Sequence, residues 1–203
     1  MDAVALIEMK MALEFGVAPV SCILPIATHE QDDQPLVLVS RTADECRLYL
    51  REDVPEHISR QLHSLGATTC FTDEASVRAI LARSMPCRRV RRIRWYTTSR
   101  RPTDSEFADV QHIGGRYVIH RDGREVAWAE TDWENDDAAE VSIETLEPYR
   151  RRGFARQVTA AWIAAIMDVG KVGLYSHRLA NDASRAVAES LGLAHLSDEV
   201  EYI

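Results

Sequence analysis

The chain has 203 residues, 46% of them hydrophobic and 28% charged, with a formal charge of −8 and a pI near 5.4. This composition suits one globular domain or two small ones; its acidity counts against nonspecific nucleic-acid binding and favours cationic partners. No window approaches the roughly eighteen apolar residues that span a bilayer, and the N-terminus lacks the basic and apolar regions of a signal peptide, so a cytoplasmic protein without a membrane partner is expected.

Residues 2–15 read as a helix with Leu6, Ile7 and Leu13 on one side. Ala18 to Thr28 is apolar but broken by Pro19 and Pro25, which predicts a loop or edge segment. Leu36 to Ser40 reads as a buried strand and Cys46 to Leu50 as its neighbour. Asp53-Val-Pro-Glu56 resembles a helix start with an Asp cap, followed by an Ile58, Leu62, Leu65 stripe and a stop at Gly66. A second short helix is expected from about Asp73 to Arg83, with Val77, Ile80 and Leu81 inward.

Cys22, Cys46, Cys70 and Cys87 lie too far apart for a Cys-x-x-Cys metal pattern, so free thiols are expected and no metal site. Arg88 to Tyr96 carries five arginines around Val90, Ile93 and Trp95. It reads as an exposed basic strand; a lone basic strand in an anionic chain makes a poor nucleic-acid footprint. Arg100-Arg101-Pro102 follows as a boundary, and the natural division is 1–95, an α/β region of no assigned family, and 96–203.

The second region opens with a polar stretch, Thr97 to Gln111. Tyr117–His120, Arg121-Asp-Gly-Arg124 and Glu125–Thr131 then form a hairpin signal with Asp-Gly as its turn. Asp132 to Asp137 reads as an acidic turn, leading to a strand at 138–145. The order βββ–α–β–α–β predicts an antiparallel meander joined by crossover helices to further strands, ending near Val200.

The centre of this region is Val141 to Ala155. Val141, Ile143 and Thr145 alternate with Ser142 and Glu144, a strand pattern that Pro148 ends. Phe154, Val158, Trp162 and Ile166 then form one stripe of a helix that Gly170 stops. Between them Arg150-Arg151-Arg152-Gly153-Phe154-Ala155 fits Arg/Gln-x-x-Gly-x-Gly/Ala. A helix start offers unpartnered N–H groups and positive potential. The small residues Gly153 and Ala155 admit an anion close to the backbone. An ordinary strand–helix connection with solvated arginines is the alternative.

With its flanks, this stretch resembles the GNAT superfamily of acyl-CoA-dependent N-acyltransferases. Downstream, Tyr175-Ser176 ends a strand and Asn181-Asp-Ala-Ser184 opens a helix closing at Leu191-Gly192-Leu193, similar to the family's Asn-x-x-Ser…Leu-Gly-Phe segment. The resemblance covers roughly Thr97 to Ile203. It implies an α/β fold with a mixed, mostly antiparallel central sheet flanked by helices. It also implies acetyl-CoA as co-substrate and an amine-bearing acceptor. The CoA contacts it implies are backbone at Ile143 and Thr145, the loop Arg150, Arg151, Arg152, Gly153, Phe154 and Ala155, then Asn181 and Ser184 near the thioester. Helix capping suits Asn181 and Ser184 equally.

Proton transfer departs from the family's pattern. Many members carry a Glu where this chain has Ala139; Glu140 is next to it, and Glu144 and Glu130 are further candidates. A one-residue offset points a strand side chain to the wrong face unless a bulge intervenes. The Tyr often found on the second helix is Ala188 here, leaving Tyr175 or His177 as substitutes, with Tyr202 more distant. The candidates for catalysis are therefore Glu140, Glu144 and Tyr175. The alternative function is a GNAT-like module that binds acyl-CoA or a partner without turnover. In this reading Gly153→Glu weakens acetyl-CoA binding at least about tenfold while the helix survives.

Overall fold

The computed structural model describes residues 3–15, 23–24 and 34–203. They form two compact units, Met1–Trp95 with Leu196–Ile203, and Tyr96–His195. Cys22 and most of the 18–28 segment lie outside the described residues. Among the described residues no helix is long and apolar enough to cross a membrane.

The first unit holds α1 (Ala3–Phe15), β1 (Ile23–Leu24), β2 (Val37–Arg41), β3 (Cys46–Arg51), α2 (Glu56–Leu65), α3 (Ala67–Thr72) and α4 (Glu74–Leu81). It also holds most of β4 (Val90–Thr97) and of β10 (Ala194–Tyr202). Its strand order is β1-β3-β2-β10-β4. β2 pairs antiparallel with β3 and β10, and β1 parallel with β3. The core joins Val37, Val39, Leu48 and Leu50 to Ile58, Leu62, Phe71, Val77 and Leu81, with Val200 and Tyr202. That packing places Leu196–Ile203 in the first unit, whereas the sequence reading assigned all of 96–203 to one region.

Local details also differ from expectation. The N-cap of α2 is Pro55, not Asp53, because Asp53 is held by a fork from Arg51 at 2.7 and 2.9 Å. α3 was not foreseen; six residues, ATTCFT, are too few to show a period. Cys46, Cys70 and Cys87 are free thiols, and burial pushes the Cys70 pKa up to about 11.

The basic strand β4 faces matching acids. Arg94 grips Asp198 at 2.6 and 3.1 Å, Arg91 pairs with Glu201, and Arg92 reaches Glu74 at 3.7 Å. Deeper in the unit, the buried Lys10 ammonium lies 2.6 Å from Glu14 and 2.7 Å from Glu199. Glu199 Oε2 also accepts from Trp95 Nε1 at 2.9 Å. Burial opposes the Lys10 charge, yet the two carboxylates outweigh it and raise its pKa. Burial raises the Glu14 pKa to about 8.

The second unit contains β5 (Gln111–Ile113), β6 (Arg116–Arg121), β7 (Arg124–Glu134), β8 (Ala138–Thr145), α5 (Phe154–Asp168), β9 (Val172–Arg178) and α6 (Asp182–Ser190). Strand order is β9-β8-β7-β6-β5, antiparallel except for the parallel pair β8/β9. Each unit's sheet is thus mixed, mostly antiparallel and flanked by helices. The β6–β7 turn takes positive φ at Asp122 (52°) and Gly123 (72°), as a two-residue hairpin turn needs.

The expected three-strand meander gains β5, a three-residue strand exposed throughout and so without an apolar alternation. β7 runs on to Glu134, so the acidic turn is only Asn135–Asp137, with Asn135 Oδ1 accepting from the amides of Asp137 and Ala138 at 2.9 and 2.8 Å. β9 continues past Ser176 to Arg178. α5 buries Phe154, Val158, Trp162 and Ile166 as expected, but also Ala160, Ile163 and Ala164, a broader band than one stripe. Trp162 Nε1 donates to Thr131 Oγ1 of β7 at 2.9 Å.

Candidate active site

β8 and β9 start as neighbours and then part. Three registered pairs join them, Ala138↔Val172, Ala139↔Gly173 and Glu140↔Leu174. Both strands continue, to Thr145 and Arg178, without pairing to one another. Along Val141–Thr145 the peptide groups that point toward β9 therefore have no ladder partner there, and an extended amide-bearing chain could take that place. Ile143 and Thr145 lie on this length. The Thr145 hydroxyl is buried and has no hydrogen-bond partner among the described residues. An orphaned buried donor of this kind is uncommon and marks a place for a ligand or water. Arg150 Nε donates to Thr145 O at 3.0 Å, which fixes the exit of β8.

After β8 a 3₁₀ turn, Glu147–Tyr149, leads into the arginine loop. Arg151 (φ 61°) and Gly153 (φ 80°, ψ 2°) both adopt left-handed backbone. α5 starts at Phe154 with no side-chain cap, and Gln157 N–H closes onto Gly153 O at 3.2 Å. The amides of Phe154, Ala155 and Arg156 precede that closure, so they are donors without intrahelical acceptors. Among the described residues the guanidiniums of Arg151 and Arg152 form no ion pair; Arg152 stacks 5.2 Å above the Tyr149 ring. The loop thus collects free N–H groups, a helix N-terminus and two unneutralised cations, a set that fits a pyrophosphate. It revises the expectation for Gly153→Glu. A side chain at position 153 meets no atom within 4 Å but must enter left-handed backbone, which strains the helix start.

Arg156, one turn into α5, is held differently. It donates to Glu106 at 2.6 Å and to Ser190 O at 3.3 Å. Glu106 also receives both arms of Arg100 at 2.9 Å, and Arg100 foremost holds its carboxyl well below the usual range. Glu106 escaped the sequence reading because nothing in a polar stretch foretells which distant arginines it meets.

The three candidates for catalysis are not brought together. Strand alternation places Ala139 and Tyr175 in the core beneath α5, and Glu140 and Ser176 on the opposite face. Glu140 is 9% exposed and accepts from Ser176 Oγ at 2.7 Å. It belongs to the last β8–β9 pair, at the apex where the strands part. Glu144 lies exposed at the far end of β8, accepts from the Thr145 amide at 3.1 Å and faces Arg150 at 3.5 Å. Tyr175 is buried, and its hydroxyl lies 3.0 Å from Ser184 O and 2.6 Å from Ser184 Oγ. Burial pushes its pKa up to about 12.

Asn181 caps α6, its Oδ1 accepting from the Ser184 amide at 3.1 Å. Asn181 and Ser184 therefore have structural partners in the protein itself. Tyr175 reaches α6 one turn before Ala188, which is fully buried; the ring from β9 occupies this side of the helix. His177, 5% exposed, stacks on Tyr96 with 5.6 Å between centroids and has Nδ1 2.8 Å from Arg178 O. Among the described residues no group of three or more His, Cys, Asp or Glu side chains could hold a metal ion.

Residues 104–199 match the family model described as GNAT acetyltransferase. No curated protein matches the chain. Among solved structures, an acetyltransferase of the GNAT family from Colwellia psychrerythraea aligns over 77% of this chain and 75% of its own, with 13% identity and a TM-score of 0.51. A GNAT-family protein from Novosphingobium aromaticivorans is 22% identical over 56% of this chain, with a TM-score of 0.47; the match spans 64% of that protein's length. Residues 104–199 are thus similar in sequence to GNAT acetyltransferases, and the chain shares the α/β fold of the Colwellia structure.

Proposed function

We propose that the protein transfers an acetyl group from acetyl-CoA to the nitrogen of an amine acceptor. The observation that carries this reading is the continuity of the parted β8 and β9 with the Arg150–Ala155 loop. The pantetheine arm pairs as an added strand along Ile143–Thr145, with the Thr145 hydroxyl available to it. The pyrophosphate meets the free amides at the start of α5, Phe154 to Arg156, and the guanidiniums of Arg151 and Arg152, with Gly153 leaving room for it. This direction brings the thioester to the apex, beside Glu140.

The acceptor nitrogen attacks the thioester carbonyl; a C–N bond forms, the C–S bond breaks, and CoA leaves as its thiolate. A thiol ionises near pH 8.5, so departure needs no dedicated acid. An acceptor that arrives as an ammonium gives its first proton to bulk water and attacks as the free amine; Glu140, oriented by Ser176, takes the second proton, which the nitrogen loses as the amide forms. Tyr175 holds α6 through Ser184 and is a positioning residue. The support for a base at Glu140 is its place at the apex, not a match to the family's pattern.

Calorimetric titration with acetyl-CoA tests the reading: saturable binding is expected, and no binding at hundreds of micromolar refutes it. A module that binds acyl-CoA without turnover is the second reading, favoured by the alanines at 139 and 188. Thiol release from acetyl-CoA across a panel of amines separates the two, with loss of release in Glu140→Gln expected for the enzyme.

A further inference from the structure

Trp133 is the most exposed large aromatic side chain of the second unit, at 54%. Its position follows from a bulge. β7 and β8 run in register through Thr131↔Val141, and then skip Asp132, so that Trp133 pairs with Glu140 and Glu134 with Ala139. Without the extra residue, Asp132 would lie opposite Glu140, two like charges on one face. With it, an indole lies there, and directly opposite residues of an antiparallel pair share a face with Cβ atoms about 4.5–5.5 Å apart. Bulges re-aim side chains in this way and gather beside active sites.

The pair has a definite chemistry. Glu140 is nearly buried at the apex, whereas the indole beside it stays open to solvent. An aromatic face and a carboxylate side by side are complementary to an ammonium group, through cation–π attraction and a charge-assisted hydrogen bond. Asp132 beside it in the strand and Asp136 and Asp137 in the following turn are exposed, and the nearby Lys171 is paired with Glu134 at 2.6 Å. A neutral hydroxyl compound can still donate a hydrogen bond to the carboxylate but gains neither ion pairing nor cation–π attraction, and an anionic acceptor is repelled.

We propose that Trp133 is the specificity-determining platform for the acceptor, and that with Glu140 it receives a primary amine in its ammonium form. The proposal rests on the acetyl-transfer reading for its biological sense, but the binding event is separable from it. The test is a titration of the full-length protein followed by NMR of the indole N–H signals, without acetyl-CoA. The signal missing from Trp133→Phe identifies Trp133. With 1,5-diaminopentane that signal shifts saturably, with 1,5-pentanediol it does not, and Glu140→Gln weakens the diamine affinity severalfold. No saturable shift, an equal response to the diol, or unchanged affinity in a folded Glu140→Gln variant overturns the proposal. Failure of acetyl-CoA to bind would sink the transfer reading and leave these signals as they are.

Discussion

The charged cluster around Lys10 and β4 in the first unit and the Val141–Ala155 stretch in the second treat their charged and polar groups differently. In the first, α4 is capped by Asp73, whose carboxylate accepts from the Ser76 amide at 3.1 Å. Lys10 is buried against Glu14 and Glu199, and the arginines of β4 meet the acids of β10. In that stretch α5 starts without a cap, Arg151 and Arg152 face no carboxylate among the described residues, and the Thr145 hydroxyl is buried without a partner, as Ser40 and Ser197 are in the first unit, but here beside the unneutralised arginines. Internal pairing of this kind stabilises a fold, whereas unmet donors along one path are what a polyanionic chain-like ligand requires. Mutations should therefore separate folding from binding according to the unit they fall in.

The largest expected effect is Lys10→Met. It removes the cation that Glu199 meets in the interior, and breaking one side of a buried pair costs about 3–5 kcal/mol. Melting or denaturant titration should show this loss, with acetyl-CoA affinity unchanged where the protein remains folded. The same cluster predicts a pH dependence. The folded pKa of Glu14, about 8, exceeds its ordinary value of 4.5. Its contribution to stability is thus fully present below about pH 4.5 and is lost as pH rises toward 8. Glu14→Gln should flatten that decline; an unaltered stability profile over this window would contradict the assignment.

Next comes the pair Arg151→Ala with Arg152→Ala. Loss of two charge-assisted contacts should weaken acetyl-CoA at least about tenfold and leave the melting temperature near that of the parent. An unchanged affinity would remove this loop from the phosphate site. Gly153→Ala should act on both sides of the comparison. It forces an L-residue into left-handed backbone, costing about 1–2 kcal/mol, and, if the loop holds the pyrophosphate as proposed, it also lowers acetyl-CoA affinity. A variant as stable as the parent would contradict the φ of 80° at this position.

The smallest effect is expected from Thr145→Val. Without ligand it removes an unsatisfied buried hydroxyl and should be neutral or stabilising by up to about 1 kcal/mol. Acetyl-CoA affinity should fall a few-fold if the hydroxyl meets the pantetheine. Destabilisation without any change in affinity would mean that the hydroxyl serves the fold.

Much of this was written in local pattern. The alternation from Val141 to Thr145, the stripe from Phe154 to Ile166 and the Asp122-Gly123 turn each depend on neighbours a few residues apart, so β8, α5 and the β6–β7 hairpin were legible. The glycine loop was legible for the same reason, because a helix start and the small residues around it are adjacent in sequence. β5 and α3 were not, being too short for a period to emerge.

Tertiary structure alone decided which groups meet. The pairing of Lys10 with Glu199, the return of Leu196–Ile203 to the first unit, and the meeting of Glu106 with Arg156 join residues far apart in the chain. So does the hydrogen bond that Ser176 gives Glu140. The bulge at Asp132 shows why composition could not foresee the site. A single extra residue changes the register, and every side chain beyond it acquires a different partner. Sequence therefore determined the strand, the loop and the helix of this region. Only the folded register decided that Glu140 stands at the apex beside Trp133 while Tyr175 is turned into the core, because partner choice across a sheet is set by packing at long range.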